Sequence, residues 1–308
     1  MTTATATQTA AVKLGQPKTP AGRAWLFFRR YPVLPAIIVV VVIACAFFAH
    51  LIAPHDPLVG NLADTDRPPV WQKVSPISGK PSKATFILGT DALGRDILSR
   101  IIWGARYSLV IAAVVLVAGA AGGTALGMIA GYFRGIPDEV LMRFVDLTLG
   151  IPFILVALAA VVVFGSSFTL IIALLILFSW SGFARNVRAE TLRLRETEYV
   201  ASARIAGATS SRIILKHILP GVVNTVMVLS SLQVGQVILT EATLSFLGVG
   251  IPKPHPAWGS MVADGRNYIS TSYWMSLFPG LAIFAVVFAM NFLGDWLRDR
   301  FDPRLRQL

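Results

Sequence analysis

Residues 108–132 read SLVIAAVVLVAGAAGGTALGMIAGY, 25 positions without a charged side chain. About 20 apolar residues of helix cross the roughly 30 Å hydrocarbon layer of a bilayer, so the stretch predicts a membrane-spanning helix from Ser108 to Tyr132. Gly119, Gly123, Gly127 and Gly131 recur at every fourth position of it, on one slowly drifting face. Glycine is common in membrane helices generally, but an unbroken run at this spacing predicts that another helix backbone approaches closely here.

Similar runs recur along the chain, from Val33 to about Ala53, Asp146 to Phe164, Phe168 to Phe183, Val222 to Leu247 and Trp274 to Leu293. Across its 308 residues the chain is 55% hydrophobic and 14% charged, more apolar than a soluble domain, and the spread of the runs excludes a lone cleaved signal peptide. The reading is an all-α membrane protein with six transmembrane helices. The net charge of +11 does not form a separate basic domain, and anionic lipid headgroups account for it better than nucleic acid. Basic residues precede the first span at Arg23, Arg29 and Arg30, fill the interval from Arg185 to Lys216, and follow the last span from Arg298 to Arg306. By the positive-inside bias these segments and both termini face the cytoplasm of a multi-pass plasma-membrane protein.

The expected organisation is a disordered cytoplasmic tail over 1–22 and an N-terminal segment with the first span over 23–53. An extracytoplasmic loop then covers 54–106, a five-helix core 107–296 holds a cytoplasmic loop at 184–220, and a cytoplasmic tail occupies 297–308. Arg95, Arg100 and Arg106 oppose the charge bias, and Ile97, Leu98, Ile101 and Ile102 at helical spacing suggest an amphipathic helix lying in the interface there. The single cysteine, Cys45, lies in the first span and reads as a packing residue; it permits no internal disulfide.

Catalytic signatures are missing from the sequence. It holds no HExxH zinc motif and no GxSxG nucleophile elbow, and His50, His55, His217 and His255 are scattered. Gly79 and Lys80 are followed by Pro81 and lack the upstream glycine of a phosphate-cradling loop, so a nucleotide that drives the protein must bind elsewhere. The chain therefore reads as a non-enzyme. Polar groups inside spans are costly in hydrocarbon and should face protein or a water-filled path. Gln233, Gln236 and Glu241 are candidates for lining such a path or for structural bonds, while Asp146 suggests a local ion pair with Arg143. Trp258, Met261 and Val262 recur at helical spacing in the loop before the last span, as an interfacial anchor or as part of a docking surface or gate.

The interval from Glu198 to Pro220, EYVASARIAGATSSRIILKHILP, is too polar and basic to enter the bilayer. Small side chains at Ala201, Ser202, Ala203 and Ala206 precede Gly207, and a second amphipathic piece leads to Leu219 and Pro220. A short helix with a small-residue face, hinged at a glycine, suits a partner's groove. The spacing of Ala203, Gly207, Leu219 and Pro220 resembles the coupling loop of permease subunits in ATP-binding cassette importers. Ala201 stands where that loop usually has Glu, and His217 where it usually has Ile. Further segments, LGTDALGRDILSR from Leu88, GARYSL from Gly104, AGYFRG from Ala130, EATLSFLGVG from Glu241, PAWGSMVADGRNY from Pro256 and NFLGDWLRDRFDPRL from Asn291, are similar to the second permease of dipeptide, oligopeptide and nickel importers.

The resemblance implies a type I importer fold and a coupling loop built on Glu198, Tyr199, Ala201, Ser202, Ala203, Arg204, Gly207, Ala208, Leu219 and Pro220. It implies a homologous second permease, two cytoplasmic ATPase subunits that bind ATP and Mg, and an extracytoplasmic substrate-binding protein. No cofactor is expected in this chain. Di- or oligopeptides are the expected cargo, with nickel or another small solute as the alternative. A self-powered secondary transporter would show paired interrupted helices in inverted halves, which the sequence lacks. A membrane scaffold without a conduit fits the polar residues of the fifth span less well.

Overall fold

The structure, a computed structural model, describes residues 32–301. The tail expected at 1–22 and residues 302–308 of the one expected at 297–308 lie outside the described residues, while 297–301 continue the last helix instead of beginning a tail. Apart from two isolated bridges, Val74 with Pro81 and Thr90 with Asp96, the described residues contain no strand pairing. Five helices are long and apolar enough to cross a membrane, and a bent pair makes six.

Helix α1 (Val33–Ile52) is followed by a long connection and then by α2 (Ile97–Phe133). Asp96 starts α2 by accepting a hydrogen bond from the Ser99 amide at 3.1 Å, satisfying a donor that the first turn leaves open. The helix is unbroken for 37 residues. The interfacial helix expected around Ile97 is therefore the first turns of the span itself: Ile97 and Ile102 are buried, so their spacing records protein packing and not a membrane surface.

The third expected span is two helices, α3 (Gly135–Gly150) and α4 (Phe153–Phe164), bent by 84°. Pro152 cannot continue a helix, and it drives the residue before it to extended angles: Ile151 has φ −94° and ψ 127°. Helix α5 (Phe168–Arg195) opens on a Ser167 cap and runs three turns past the expected end at Phe183. Its last turns keep Val187, Thr191 and Leu194 buried while Arg185 and Arg193 stay exposed, so the helix continues on contact with α2 after the apolar run has ended. Short helices α6 (Glu198–Ile205) and α7 (Ser210–Ile213) lead through a π-turn, Ile214–Ile218, into α8 (Leu219–Phe246). Then come α9 (Trp258–Gly265) and α10 (Trp274–Phe301).

The glycine stripe of α2 lies against α5. A Cβ on Gly119 would stand 2.8 Å from Ser179 Oγ, on Gly123 2.4 Å from the Trp180 carbonyl oxygen, on Gly127 2.6 Å from the Ala184 carbonyl oxygen, and on Gly131 2.7 Å from Thr191 Cβ. Cys45 packs against the main core cluster.

Residues 54–96 form an ordered cap at the start of α2 and α10. Asp66, at φ +55°, accepts from Ser75 Oγ, from the Ser78 amide at 3.3 Å and from Ser272 Oγ at 2.5 Å. Trp274 Nε1 donates to the Thr90 carbonyl at 3.2 Å, and Trp71 meets Phe278 edge to face. Paired aspartate and serine side chains hold this cap together with a few buried apolar residues such as Phe86, so no hydrophobic period announces it.

Candidate functional site

The segment after α5 is built from the chain outward. Arg195 Nη1 donates to the Tyr132 carbonyl at 2.7 Å and ties the end of α5 to the end of α2. In α6, Val200 is the buried anchor, whereas Tyr199, Ala201, Ser202 and Arg204 are exposed and Ile205 is 89% exposed. Ala203 and Ala208 are half-buried. The helix ends in a Schellman arrangement: the Gly207 amide donates to Arg204 and the Ala208 amide to Ala203. Gly207 has φ +79°, and beyond its chain neighbours a Cβ there would meet nothing among the described residues within 4 Å. Of the two reasons for a glycine, angle and close approach, the angle applies.

Past Gly207, the Thr209 side chain caps α7. Pro220 follows the π-turn after Leu219, so, unlike a proline at a free helix start, its missing N–H and its ring oppose an ordinary α-turn back to Lys216. The chain widens into the π-turn, with the Leu219 amide donating to the Ile214 carbonyl. Tyr199 reaches back to the His217 carbonyl at 3.4 Å. Glu198 heads α6 and Leu219 is half-buried at the head of α8, so the two pieces form one exposed elbow between α5 and α8.

Ion pairs join α3 to α5 near this elbow. Asp138 takes both Nε and Nη2 of Arg188, the latter at 2.7 Å. Asp146 pairs with Arg185 at 2.5 Å. That corrects the expected Arg143–Asp146 pair: the bend at Pro152 lets α3 lie beside α5, where a neighbouring helix supplies the cation.

The polar residues of α8 divide into two faces. Gln233 accepts from Ser179 Oγ at 3.4 Å, and Gln236 is exposed with its amide 3.5 Å from Thr240 Oγ1. With Phe153 and Ser179, these three side chains line a cavity of 170 Å³. A neighbouring cavity of 320 Å³ shares Phe153, Gln236 and Thr240 and adds Thr243. Glu241 points elsewhere: it is 1% exposed and accepts from Ser245 Oγ at 2.6 Å, so it lines no open path. The stripe Gln233, Gln236, Thr240, Thr243 follows one helix face; Thr240 and Thr243 were missed because hydroxyls that can bond their own helix carbonyls carry little weight in a hydropathy reading.

The expected helix at Trp258, Met261 and Val262 is α9, but its large side chains face inward. Trp258 is 2% exposed, lies over Gly104 and donates from Nε1 to the Ile101 carbonyl at 2.9 Å; Met261 is buried and Val262 half-buried. Trp258 therefore holds α9 to α2 and presents nothing for a partner to dock on. His55 bonds Asp96 at 3.1 Å and His255 meets the Tyr107 hydroxyl at 2.9 Å.

The model of the binding-protein-dependent transport system inner membrane component matches residues 123–307. The chain is 40% identical to the glutathione transport system permease protein GsiD of Pectobacterium atrosepticum over 94% of its own length and 93% of the relative's. It is 34% identical to the dipeptide transport system permease protein DppC of Haemophilus influenzae over 94% and 97%. In fold it is similar to a chain of the inward-facing MetNI methionine ABC transporter, with a TM-score of 0.55 at 18% identity, covering 67% of this chain and 97% of that one.

Proposed function

This chain belongs to the binding-protein-dependent inner membrane component family, a multi-pass permease subunit of ATP-binding cassette importers, and from that premise we propose that it imports di- or oligopeptides. In this reading a homologous permease completes the conduit, an extracytoplasmic binding protein delivers cargo, and two cytoplasmic ATPase subunits hold ATP and Mg. In this reading the elbow at Glu198–Pro220 faces the cytoplasm with both termini, and the cap at 54–96 faces outward, an orientation supported by the basic residues between Arg185 and Lys216.

Two observations support the assignment. The elbow exposes a small-residue helix face around Ala201 and Ser202, ending at a glycine in the left-handed region, which suits a surface grasped and pushed by another subunit. The groove stripe of Gln233, Gln236, Thr240 and Thr243 offers amides and hydroxyls that can pair with peptide groups, and carries neither the carboxylates nor the imidazoles that a divalent transition metal prefers. Glutathione and dipeptide are the cargoes in the relatives' names.

The test is uptake by proteoliposomes holding the whole complex, with binding protein outside and ATP inside. Labelled dipeptide or glutathione should accumulate only with ATP, and nickel should not. Accumulation of nickel without peptide would replace the cargo assignment, and accumulation without ATPase subunits would overturn the importer reading.

A further inference from the structure

At the cap end of the bundle, away from the Gln233 groove, a cavity of 600 Å³ opens between the start of α2, the end of α8 and α9. Its volume falls within the range of small-molecule sites, roughly 300–1,000 Å³. Phe246, Leu247, Met261 and Met275 supply apolar wall. The charged lining residues are Arg95, Arg100, Lys253 and Arg266 against Asp91 and Asp264, two cations in excess.

The excess falls on particular side chains. Lys253 is taken by Asp264 at 2.7 Å. Asp91 is committed three times: Oδ2 accepts from Arg95 Nε at 2.7 Å, and Oδ1 accepts from the amides of Leu93 and Arg95, each at 2.9 Å. Arg100, whose side chain is 4% exposed, is left with Asp91 at 3.8 Å, too far for a hydrogen bond, and a 3.3 Å bond from Nη1 to the Pro57 carbonyl. A guanidinium stays charged, and a buried charge is costly unless a counter-charge reaches it. Arg266 is exposed at the rim, and its guanidinium makes no ion pair or hydrogen bond among the described residues. The N-terminus of α2 also meets this cavity at Ile97, adding a dipole of the same sign.

We propose that this cavity is a second, outward-facing site that takes the carboxylate of a small peptide between Arg100 and Arg266 before the peptide reaches the groove. The outward orientation and the peptide class rest on the function proposed above; the anion preference rests on the charges. The volume and apolar walls favour a whole small molecule over a single acidic side chain of a docking protein, which would need only a narrow slot.

The test uses the complete complex in nanodiscs of zwitterionic lipid, without binding protein, and compares trialanine with trialanine amide by saturation-transfer NMR titration. Trialanine should bind about tenfold or more tightly than the amide, the size of a charge-assisted hydrogen bond. Arg266→Gln, at an exposed position that leaves the fold intact, should cut this preference to less than about threefold without changing amide affinity. Asp264→Asn, which removes a competing carboxylate, should tighten trialanine, a gain that structural damage does not produce. Equal affinity of the two peptides for the unaltered complex would overturn the proposal. So would an Arg266→Gln variant that keeps the full carboxylate preference and instead weakens docking in a separate titration with binding protein, which would make the cavity a contact between proteins. Failure of peptide uptake with the carboxylate preference intact would count against the cargo assignment alone.

Discussion

The seam between α2 and α5 and the elbow at Glu198–Pro220 both depend on glycine, for opposite reasons. Along the seam Gly119, Gly123, Gly127 and Gly131 sit in ordinary helix, and any Cβ would strike the facing helix. At the elbow Gly207 has open space around it and a backbone angle that side chains oppose. The first region joins two helices into one body, and the second presents a bent, exposed surface at the end of that body. In the proposed function, motion imposed at the elbow would pass directly into this packed body.

Breaking the seam should have the largest effect. Gly123→Ala places a methyl group 2.4 Å from a backbone oxygen that only helix separation can relieve, whereas the adjacent Gly122 has nothing within 4 Å of its Cβ position among the described residues. Gly123→Ala should lower stability by about 2–3 kcal/mol and Gly122→Ala by less than about 0.5 kcal/mol, read as thermal midpoints of the complex by fluorescence-detected gel filtration. Gly123→Leu should prevent assembly, while Leu126→Ala on the same helix should not. Equal losses at positions 122 and 123 would remove the close-packed seam from the account.

The contact of α9 with α2 comes next. Trp258→Phe keeps most of the apolar contact and loses the hydrogen bond to Ile101, so it should cost about 1 kcal/mol of stability and leave binding-protein affinity unchanged. A loss of docking without a loss of stability would restore the surface role that burial argues against. Joining α3 to α5, the Arg188–Asp138 pair is half screened by solvent, with Arg188 32% exposed. Arg188→Gln should cost about 1 kcal/mol, and a double-mutant cycle with Asp138→Asn should return most of that as coupling.

The smallest effect concerns pH. Burial alone would raise the Asp64 carboxyl, but the Arg67 hydrogen bond at 2.5 Å and the charges of Lys83 and Arg67 outweigh it, so its pKa lies below the ordinary carboxylate value. Its contribution is complete above that ordinary value, about 3.9, and is lost as pH falls through the lower folded value. Hydrogen-exchange protection over residues 54–96, corrected for the pH dependence of intrinsic amide exchange, should therefore stay flat from neutral pH to about pH 4 and fall only below it, and Asp64→Asn should remove that fall.

How much was legible in the sequence follows from the kind of signal each region carries. The apolar runs and the glycine period of α2 are local patterns, and each maps onto a helix or a face of one. The break at Gly150–Pro152 was written in the chain too, but a hydropathy reading spans a proline without registering the turn it forces. The continuation of α5 past Phe183 depends on contact with α2, which the charges of Arg185 and Arg188 conceal. The inward direction of Trp258 depends on which side of α9 meets α2, and a period of 3.6 residues gives a face without saying what covers it. The anion cavity joins residues from three separate segments, so no spacing along the chain reveals it.

The central claim is that force from ATP-hydrolysing partners enters through the elbow, and the direct measurement is ATP hydrolysis by the purified complex in lipid with Gly207 replaced by Val or by Asn. Asparagine tolerates the left-handed region and a β-branched side chain does not, a difference of about 1–2 kcal/mol at φ +79°. The account predicts that Gly207→Val inserts and assembles but loses the stimulation by loaded binding protein, with Gly207→Asn retaining a substantial part of it. Full stimulation and normal uptake by Gly207→Val would contradict it.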